Sequence, residues 1–318
     1  MTVQQFQPRY SGLGGEGWVP RLSSLRDEQG MVWTAFGAFS ECGRLRSVLM
    51  RRPGSEIEMV EDPRQALWMG RPDPAKAREQ HDALAELYRA HGVCVHYIEG
   101  DTHQPPNLYF VRDTFAMTPE GAIIARPAAR VRAGEERIVA HALAQLGIPI
   151  VLSIHGCGTF EGADLMIINE DLAFVSQGLR TNAAGADQVE RLLAGIGIAE
   201  VVRVELDADC MHLDCALGIV TRDVALLTPG KVSAALAETL HHHGFRIITA
   251  PQSEVESGMA VNTVAIEPGL VILPAGNPVT RAALEQAGVE CHEADVSELM
   301  KGGGAVHCMT GVLHREGV

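Results

Sequence analysis

Four stretches of this chain repeat one plan, and that repeat constrains the fold more than any other feature. Each has an apolar strand, a short polar turn and a second apolar strand: "TFAMTPEGAIIARP" (114–127), "DLMIINEDLAFVSQ" (164–177), "ALGIVTRDVALLTPG" (216–230) and "NTVAIEPGLVILPAG" (262–276). Gly121, Asp171, Asp223 and Gly269 mark the turns, at separations of 50, 52 and 46 residues. Helical spacing follows each hairpin, over 133–147, 185–197, 231–244 and 278–288, and leads into further strands such as 203–206 and 246–250. A supersecondary unit recurring at that period predicts one module repeated about an axis. A fifth copy can be assembled from the two ends: a strand in 44–54, a helix over 74–92 and a last strand over 308–314. The simpler alternative is an α/β sandwich with evenly spaced hairpins. Residues 1–30 fit no module and are expected to form an N-terminal arm. Residues 31–318 are expected to form one catalytic domain, since no linker or low-complexity segment divides them.

Charge narrows the partners. Lys and Arg total 26 against 40 Asp and Glu, a formal net charge of −14. Nucleic-acid binders need a basic surface, so the charge argues against a nucleic-acid backbone as the main partner, whereas a small cation would be attracted to a negative cleft. The 7 cysteines are scattered and odd in number, which points to a reducing, cytoplasmic setting rather than a disulfide framework. The first residues do not read as a signal peptide, and no apolar run approaches the roughly 20 residues that span a bilayer. No membrane partner is expected.

Four places carry chemistry. Cys308 follows three glycines in "KGGGAVHCMT" and is placed on a strand. An isolated cysteine is ordinarily a buried apolar residue, but adjacent glycines allow close approach of backbone and ligand. His307 would point to the opposite strand face, so the base for Cys308 must come from elsewhere. If the glycines line the substrate's path, Gly303→Val should weaken binding. In "DADCMHLDCALGIV", strand alternation would put Cys210, His212 and Asp214 on one face, yet their spacing matches no structural zinc pattern. His241, His242 and His243 fall on a helix and read as solvated. Glu161 and Asp164 open the second hairpin. Asp113 opens the first, with Tyr109 and Phe110 as an apolar wall. Singly, these carboxylates are ordinary turn residues. In a radial repeat, however, Asp113, Glu161–Asp164, His212–Asp214, Asn262 and Cys308 occupy equivalent places and would converge near the axis. Carboxylates accept paired N–H bonds from a planar guanidinium. A thiolate can attack its carbon, and an imidazolium can protonate the departing nitrogen. Such a pocket fits a guanidine.

The ordered motifs "NLYFVRD", "FEGAD", "QGLRTN", "HLD" and "GGGAVHC" resemble the guanidine-modifying enzymes of the pentein fold over about residues 40–315. That group includes arginine deiminases, dimethylarginine hydrolases, arginine dihydrolases and amidinotransferases. The resemblance implies a five-bladed α/β propeller of ββαβ modules with pseudo-fivefold symmetry. It implies Cys308 as nucleophile, His212 as general acid/base and Glu161 as the acid orienting it. Asp113 and Asp214 would grip the guanidinium, and Asp164 is expected with them among the substrate-binding residues. Asn107, Arg132 and Arg180 would hold the substrate's α-carboxylate and amino end; Arg126 and Arg130 lie close to Arg132 in sequence. Phe110 would pack on the guanidinium face or stem. The implied reaction on free L-arginine or a methylated arginine passes through a covalent amidino-thioether and releases citrulline with ammonia or an amine, without metal or organic cofactor. Homodimers are common among similar proteins. "HC" before "MT" is closer to agmatine deiminases and amidinotransferases, while Glu161 within "FEGAD" favours hydrolysis. Amidino transfer and arginine dihydrolysis are the enzymatic alternatives. A pentein-fold ribosome-binding factor would leave Cys308, His212 and Glu161 unexplained, and a Cys-His protease would give Asp113 and Asp214 no role.

Overall fold

A computed structural model describes residues 18–100, 104–231 and 233–318. Its five small sheets form the five-bladed α/β propeller that the resemblance implies, and they carry the module that the repeat predicts. Blade one begins with β1 (Gly37–Ala38), β2 (Leu45–Met50), α1 (Pro74–Ala90) and β3 (Cys94–Tyr97). Blade two contains β4 (Phe115–Thr118), β5 (Gly121–Ile124), α2 (Glu135–Gln145) and β6 (Ile150–Ser153). Blade three contains β7 (Leu165–Ile167), β8 (Leu172–Gln177), α3 (Ala183–Gly195) and β9 (Glu200–Glu205). Blade four contains β10 (Leu217–Ile219), β11 (Val224–Leu227), α4 (Ala234–His242) and β12 (Arg246–Thr249). After α5 (Gln252–Gly258), blade five contains β13 (Val264–Glu267), β14 (Leu270–Pro274), α6 (Pro278–Gln286) and β15 (Glu290–Ala294). A short α7 (Ser297–Met300) leads to β16 (Gly311–Arg315), which returns to blade one.

Blades two to five share one topology. An antiparallel hairpin is joined through a helix to a third strand parallel to the hairpin's second strand. Blade one reaches the same plan with both chain ends: β16 lies between β1 and β2, antiparallel to β2, in the order β1-β16-β2-β3. The ring therefore closes through the strand that follows Cys308. The hairpin strands are buried along nearly their whole length, in clusters that bridge neighbouring blades.

The turns and helix starts follow from local chemistry. Gly121 and Gly269 adopt φ +139° and +88°, where a side chain is strained. Asn169 Oδ1 accepts the Asp171 and Leu172 N–H groups at the corresponding turn in blade three. Asp73, Asn182 and Ser233 cap α1, α3 and α4 through side-chain oxygens, satisfying N–H groups that have no partner within the helix.

Two departures from the sequence reading matter. The last strand starts at Gly311, so Cys308 lies in the turn before it. Helices α5 and α7 were not expected; both are short connections with little apolar periodicity. Residues 1–17 of the expected arm lie outside the described residues. Of the rest, Glu28 accepts bonds from Arg21 and Ser23 and from Trp33 Nε1, anchoring a short helical turn at Arg26–Glu28. Among the described residues, no helix is long and apolar enough to cross a membrane.

Candidate active site

The chemistry sits on turns, not strands. Asp113, Asp164 and Asp214 lie in single helical turns just before β4, β7 and β10, while Glu161 and His212 immediately precede two of these turns. This placement frees each side chain from the alternation of a strand. Cys210, His212 and Asp214 consequently do not share a strand face. The Cys210 thiol donates instead to the His212 carbonyl at 3.4 Å. Cys308 is held by its backbone: Arg112 N–H donates to its carbonyl at 3.0 Å, and Asn262 Oδ1 accepts the His307 and Cys308 N–H groups at 2.9 and 3.4 Å.

The ring brings Cys308, His212, Asp113, Phe110, Asn107, Arg132 and Arg180 around one cavity, with Gly302–Gly304 and Met211 completing it. His212 Nε2 donates to Glu161 Oε2 at 2.7 Å, and both side chains are fully buried. The other ring nitrogen, Nδ1, faces Asp113 Oδ1 at 3.9 Å, and neither atom has a hydrogen-bond partner. Cys308 Sγ lies 3.5 Å from Asp214 Oδ2 and 3.2 Å from Asn262 Nδ2, which also donates to Asp214 at 3.2 Å.

Charge sets the protonation states. Burial alone would discharge His212, but the Asp113, Glu161 and Asp164 carboxylates hold its pKa well above the usual histidine value. Burial also opposes the charge on Glu161, yet the bond from His212 and the charges of Arg132 and Arg180 pull its carboxyl below the ordinary range. Burial pushes the Cys308 thiol up, and Asp214 and Asp113 push it further, so Cys308 rests as a neutral thiol. Asp214 resists burial because His307 donates Nδ1–H at 2.8 Å and carries charge, lowering its pKa to about 2. One ligand atom each from Asp113, Glu161 and His212 lies within 4.8 Å of the others. That set does not suit a metal: His212 is held protonated, a charge a metal ligand must shed, and Arg132 donates to Asp113 among them.

Several expected substrate groups have internal partners. Arg132 Nε and Nη2 donate to Glu135 at 2.9 and 2.7 Å, and Nη1 donates to Asp113. Its guanidinium thus rests on a carboxylate expected to grip the substrate, leaving free space of about 20 Å³, enough for one water. Asn107 also lines the cavity, but its amide donates to the Ala66 carbonyl at 2.9 Å and accepts from Trp68 Nε1 at 2.6 Å. Asp164 does not line it: its oxygens accept from Ser176, Thr181 and the Leu213 N–H, tying blade three to the His212 turn. Burial raises its pKa to about 6. Arg180 has looser contacts, with Nη1 at 3.4 Å from both Glu161 oxygens. Arg126 donates to the Gly158 carbonyl and Arg130 is exposed, so neither replaces Arg132 here.

The glycine stretch also reads differently in three dimensions. A Cβ on Gly303 would meet only Met211 at 3.9 Å; this residue supplies a left-handed turn at φ +99°. The close approach belongs to its neighbours. A Cβ on Gly302 would fall on the Tyr109 hydroxyl, and one on Gly304 would lie 2.7 Å from the Phe110 ring and 3.0 Å from Cys308 Sγ. Gly304→Ala is therefore expected to cut kcat/KM at least about 10-fold, as misplacing a reacting atom by a fraction of an ångström does. Unchanged steady-state kinetics in the folded variant would remove the steric role assigned to Gly304.

Sequence reading missed Glu135 and the partners of His307. His307 does not serve Cys308. It bridges Asp214 and Glu41, with Nε2 3.6 Å from the Glu41 carboxylate. Its adjacency to Cys308 concealed this, because the turn sends the two side chains to different partners. His307→Asn is expected to let the Asp214 pKa climb. The acid limb of kcat/KM should then shift to higher pH, with KM rising more than kcat falls; an unshifted limb would show that His307 is only a packing residue.

Residues 72–315 match the family model described as eukaryotic N,N dimethylarginine dimethylhydrolase. The chain belongs to this family. It is 32% identical over 243 residues to the N(G),N(G)-dimethylarginine dimethylaminohydrolase of Pseudomonas aeruginosa, covering 76% of this chain and 90% of the relative. A solved mutant of dimethylarginine dimethylaminohydrolase from that organism, complexed with citrulline, is 28% identical with a TM-score of 0.73, covering 85% of this chain and 100% of the other. An amidinotransferase of Microseira wollei shares the fold at 17% identity and a TM-score of 0.71, covering 89% and 98% of the two chains. The pentein family and its hydrolase branch are thus established for this chain, and the five sheets are the pentein blades.

Proposed function

We propose that this pentein hydrolyses the guanidinium group of free L-arginine or a methylated arginine, with Cys308 as nucleophile. The observation that carries the reading is the buried, unpartnered pair Asp113 Oδ1 and His212 Nδ1, which lines the cavity beside Cys308. A guanidinium nitrogen can give Asp113 the N–H it lacks. The incoming guanidinium displaces that of Arg132 from Asp113, and Arg132 with Arg180 turns to the substrate's carboxylate. The substrate's positive charge offsets the two carboxylates that keep the thiol protonated. The thiol proton passes to solvent as sulfur bonds to the guanidinium carbon, since His212 already carries its proton. The C–N bond to the departing nitrogen breaks as imidazolium His212 protonates it, giving ammonia or an amine and an amidino-thioether. Water, deprotonated at His212, then attacks carbon; the C–S bond breaks, the thiol recovers a proton and citrulline is released. The Pseudomonas aeruginosa relative's name and its bound citrulline support this outcome. Asp214 at Cys308 favours a guanidine with an N–H on each terminal nitrogen, so arginine and monosubstituted arginine should be preferred to the Nω,Nω-dimethyl form.

Product analysis on L-arginine, with Cys308→Ala as control, tests the reading. Citrulline and ammonia in equal amounts, both lost in the control, are expected. Ornithine and ammonia without an acceptor amine would replace this reading with a dihydrolase. Ornithine only when an acceptor is added would replace it with amidino transfer.

A further inference from the structure

Cys308 borders a second, larger space. On the side opened by Asn262, a chamber of about 220 Å³ is lined by Met69, Met211, Met259, Val255, Val261 and Cys215. It shares Met211, Gly303, Gly304 and Cys308 with the guanidine cavity, so the two spaces meet at the nucleophile. The chamber is about ten times roomier than the free space beside Asp113. A dry apolar cavity of ~150 Å³ is large enough for benzene, which sets the scale.

A guanidinium carbon seated at Cys308 has three nitrogens, and the site offers three directions. One leads to Arg180 and the amino-acid end. One faces Asp113 and His212. The third passes Asn262 into the chamber, with Asp214 in contact with both Asn262 and Cys308. Resting on the arginine-hydrolase reading above, we propose that the chamber seats an apolar substituent on the substrate's distal nitrogen. The substrate class then includes guanidines carrying one unbranched chain longer than methyl.

The lining, mostly apolar, suits such a chain. Three methionines give a flexible, polarizable wall that conforms to irregular apolar groups. Burial raises the Cys215 thiol well above its ordinary value and Cys210 to about 12, so the cysteines add no charge. The charged pair, Lys231 and Asp209, is bound to itself at the rim. Met259 ends α5 at φ +48°, a position where glycine is the easy choice, and its side chain lines the chamber. Beyond Met69 and Met259 lies an open surface depression, giving a longer chain a way out. A single substituent leaves one N–H on the distal nitrogen for Asp214; two would leave none.

The test compares L-arginine, Nω-methyl-L-arginine and Nω-propyl-L-arginine on the wild-type protein, following the ureido product and the ammonia released, because a substituent seated in the chamber lies on a nitrogen that does not face His212. The kcat/KM for the propyl compound should equal or exceed that for the methyl compound. Val255→Phe, which fills the chamber, should lower the propyl-to-arginine ratio of kcat/KM at least 10-fold. Arginine turnover with the propyl compound poorer than the methyl one would overturn the inference and leave the arginine-hydrolase reading standing. No turnover of any of the three would overturn that reading, and the inference with it. The wild-type series decides the matter even if the variant does not fold.

Discussion

Serine at position 308 is expected to reduce kcat by on the order of 10⁴-fold or more while leaving the protein folded. The substitution changes one buried atom and keeps its size nearly constant, so the blades around it should not notice. The chemistry should. A hydroxyl ionises far less readily than a thiol, and Asp214 and Asp113 raise even the thiol's pKa. The resting thiol therefore reacts poorly until a cation enters. In the wild-type protein, alkylation of Cys308 by neutral iodoacetamide should be slow near neutral pH and accelerate as pH rises past 9, because only the thiolate reacts. Rapid-quench mass spectrometry with arginine should trap an amidino adduct on the wild-type chain and none on Cys308→Ser. A serine variant with kcat within 10-fold of wild type would remove Cys308 from the nucleophile's role.

The fold was legible because its signals are local. Hairpin turns at Gly121, Asp171, Asp223 and Gly269, each followed by a helix, recur at a period no single module could produce. Helix ends lay within about three residues of the expected ones, since caps such as Asp73 and Ser233 act through adjacent N–H groups. The candidate site was legible only to the level of which residues converge. Cys308, His212, Glu161, Asp113 and Asp214 could be found because each sits at the same place in its module. What each side chain touches could not, because turns lack the alternation that makes strands readable. Asp164 shares a motif with Glu161 yet serves Ser176, Thr181 and a backbone N–H. Arg132 was expected to hold the substrate's α-carboxylate or amino end, and in the structure its guanidinium rests on Glu135 and Asp113. That guanidinium reaches the buried carboxylates of two separate elements, and a sequence carries no marker for which carboxylates lie within its reach.

Glu161→Gln should separate orientation from charge at His212. Glutamine preserves volume and can still accept from His212 Nε2, but it removes the negative charge that helps keep the ring protonated. Asp113 and Asp164 remain, so the imidazole pKa should fall partway toward its ordinary value. The expected loss in kcat is about 10²- to 10⁴-fold, the usual range for impairing a general acid/base. The basic limb of the kcat profile should move to lower pH, because the leaving nitrogen loses its proton donor earlier. Stability should follow the same linkage. The carboxyl's contribution is present above its ordinary pKa of 4.5 and is lost as pH falls through the lowered folded value. The imidazole's contribution is present below its ordinary pKa of 6.5 and is lost as pH rises through the raised folded value. Both are complete only between about pH 4.5 and 6.5, and there the wild-type Tm should exceed that of the variant most clearly. The size should match about 1.5–3 kcal/mol for a hydrogen bond to a charged group, with no discount for solvent because both side chains are buried. A Tm difference that does not change with pH would mean that the pair is not ionised in the folded protein. An unmoved basic limb would mean that His212 is not the proton donor.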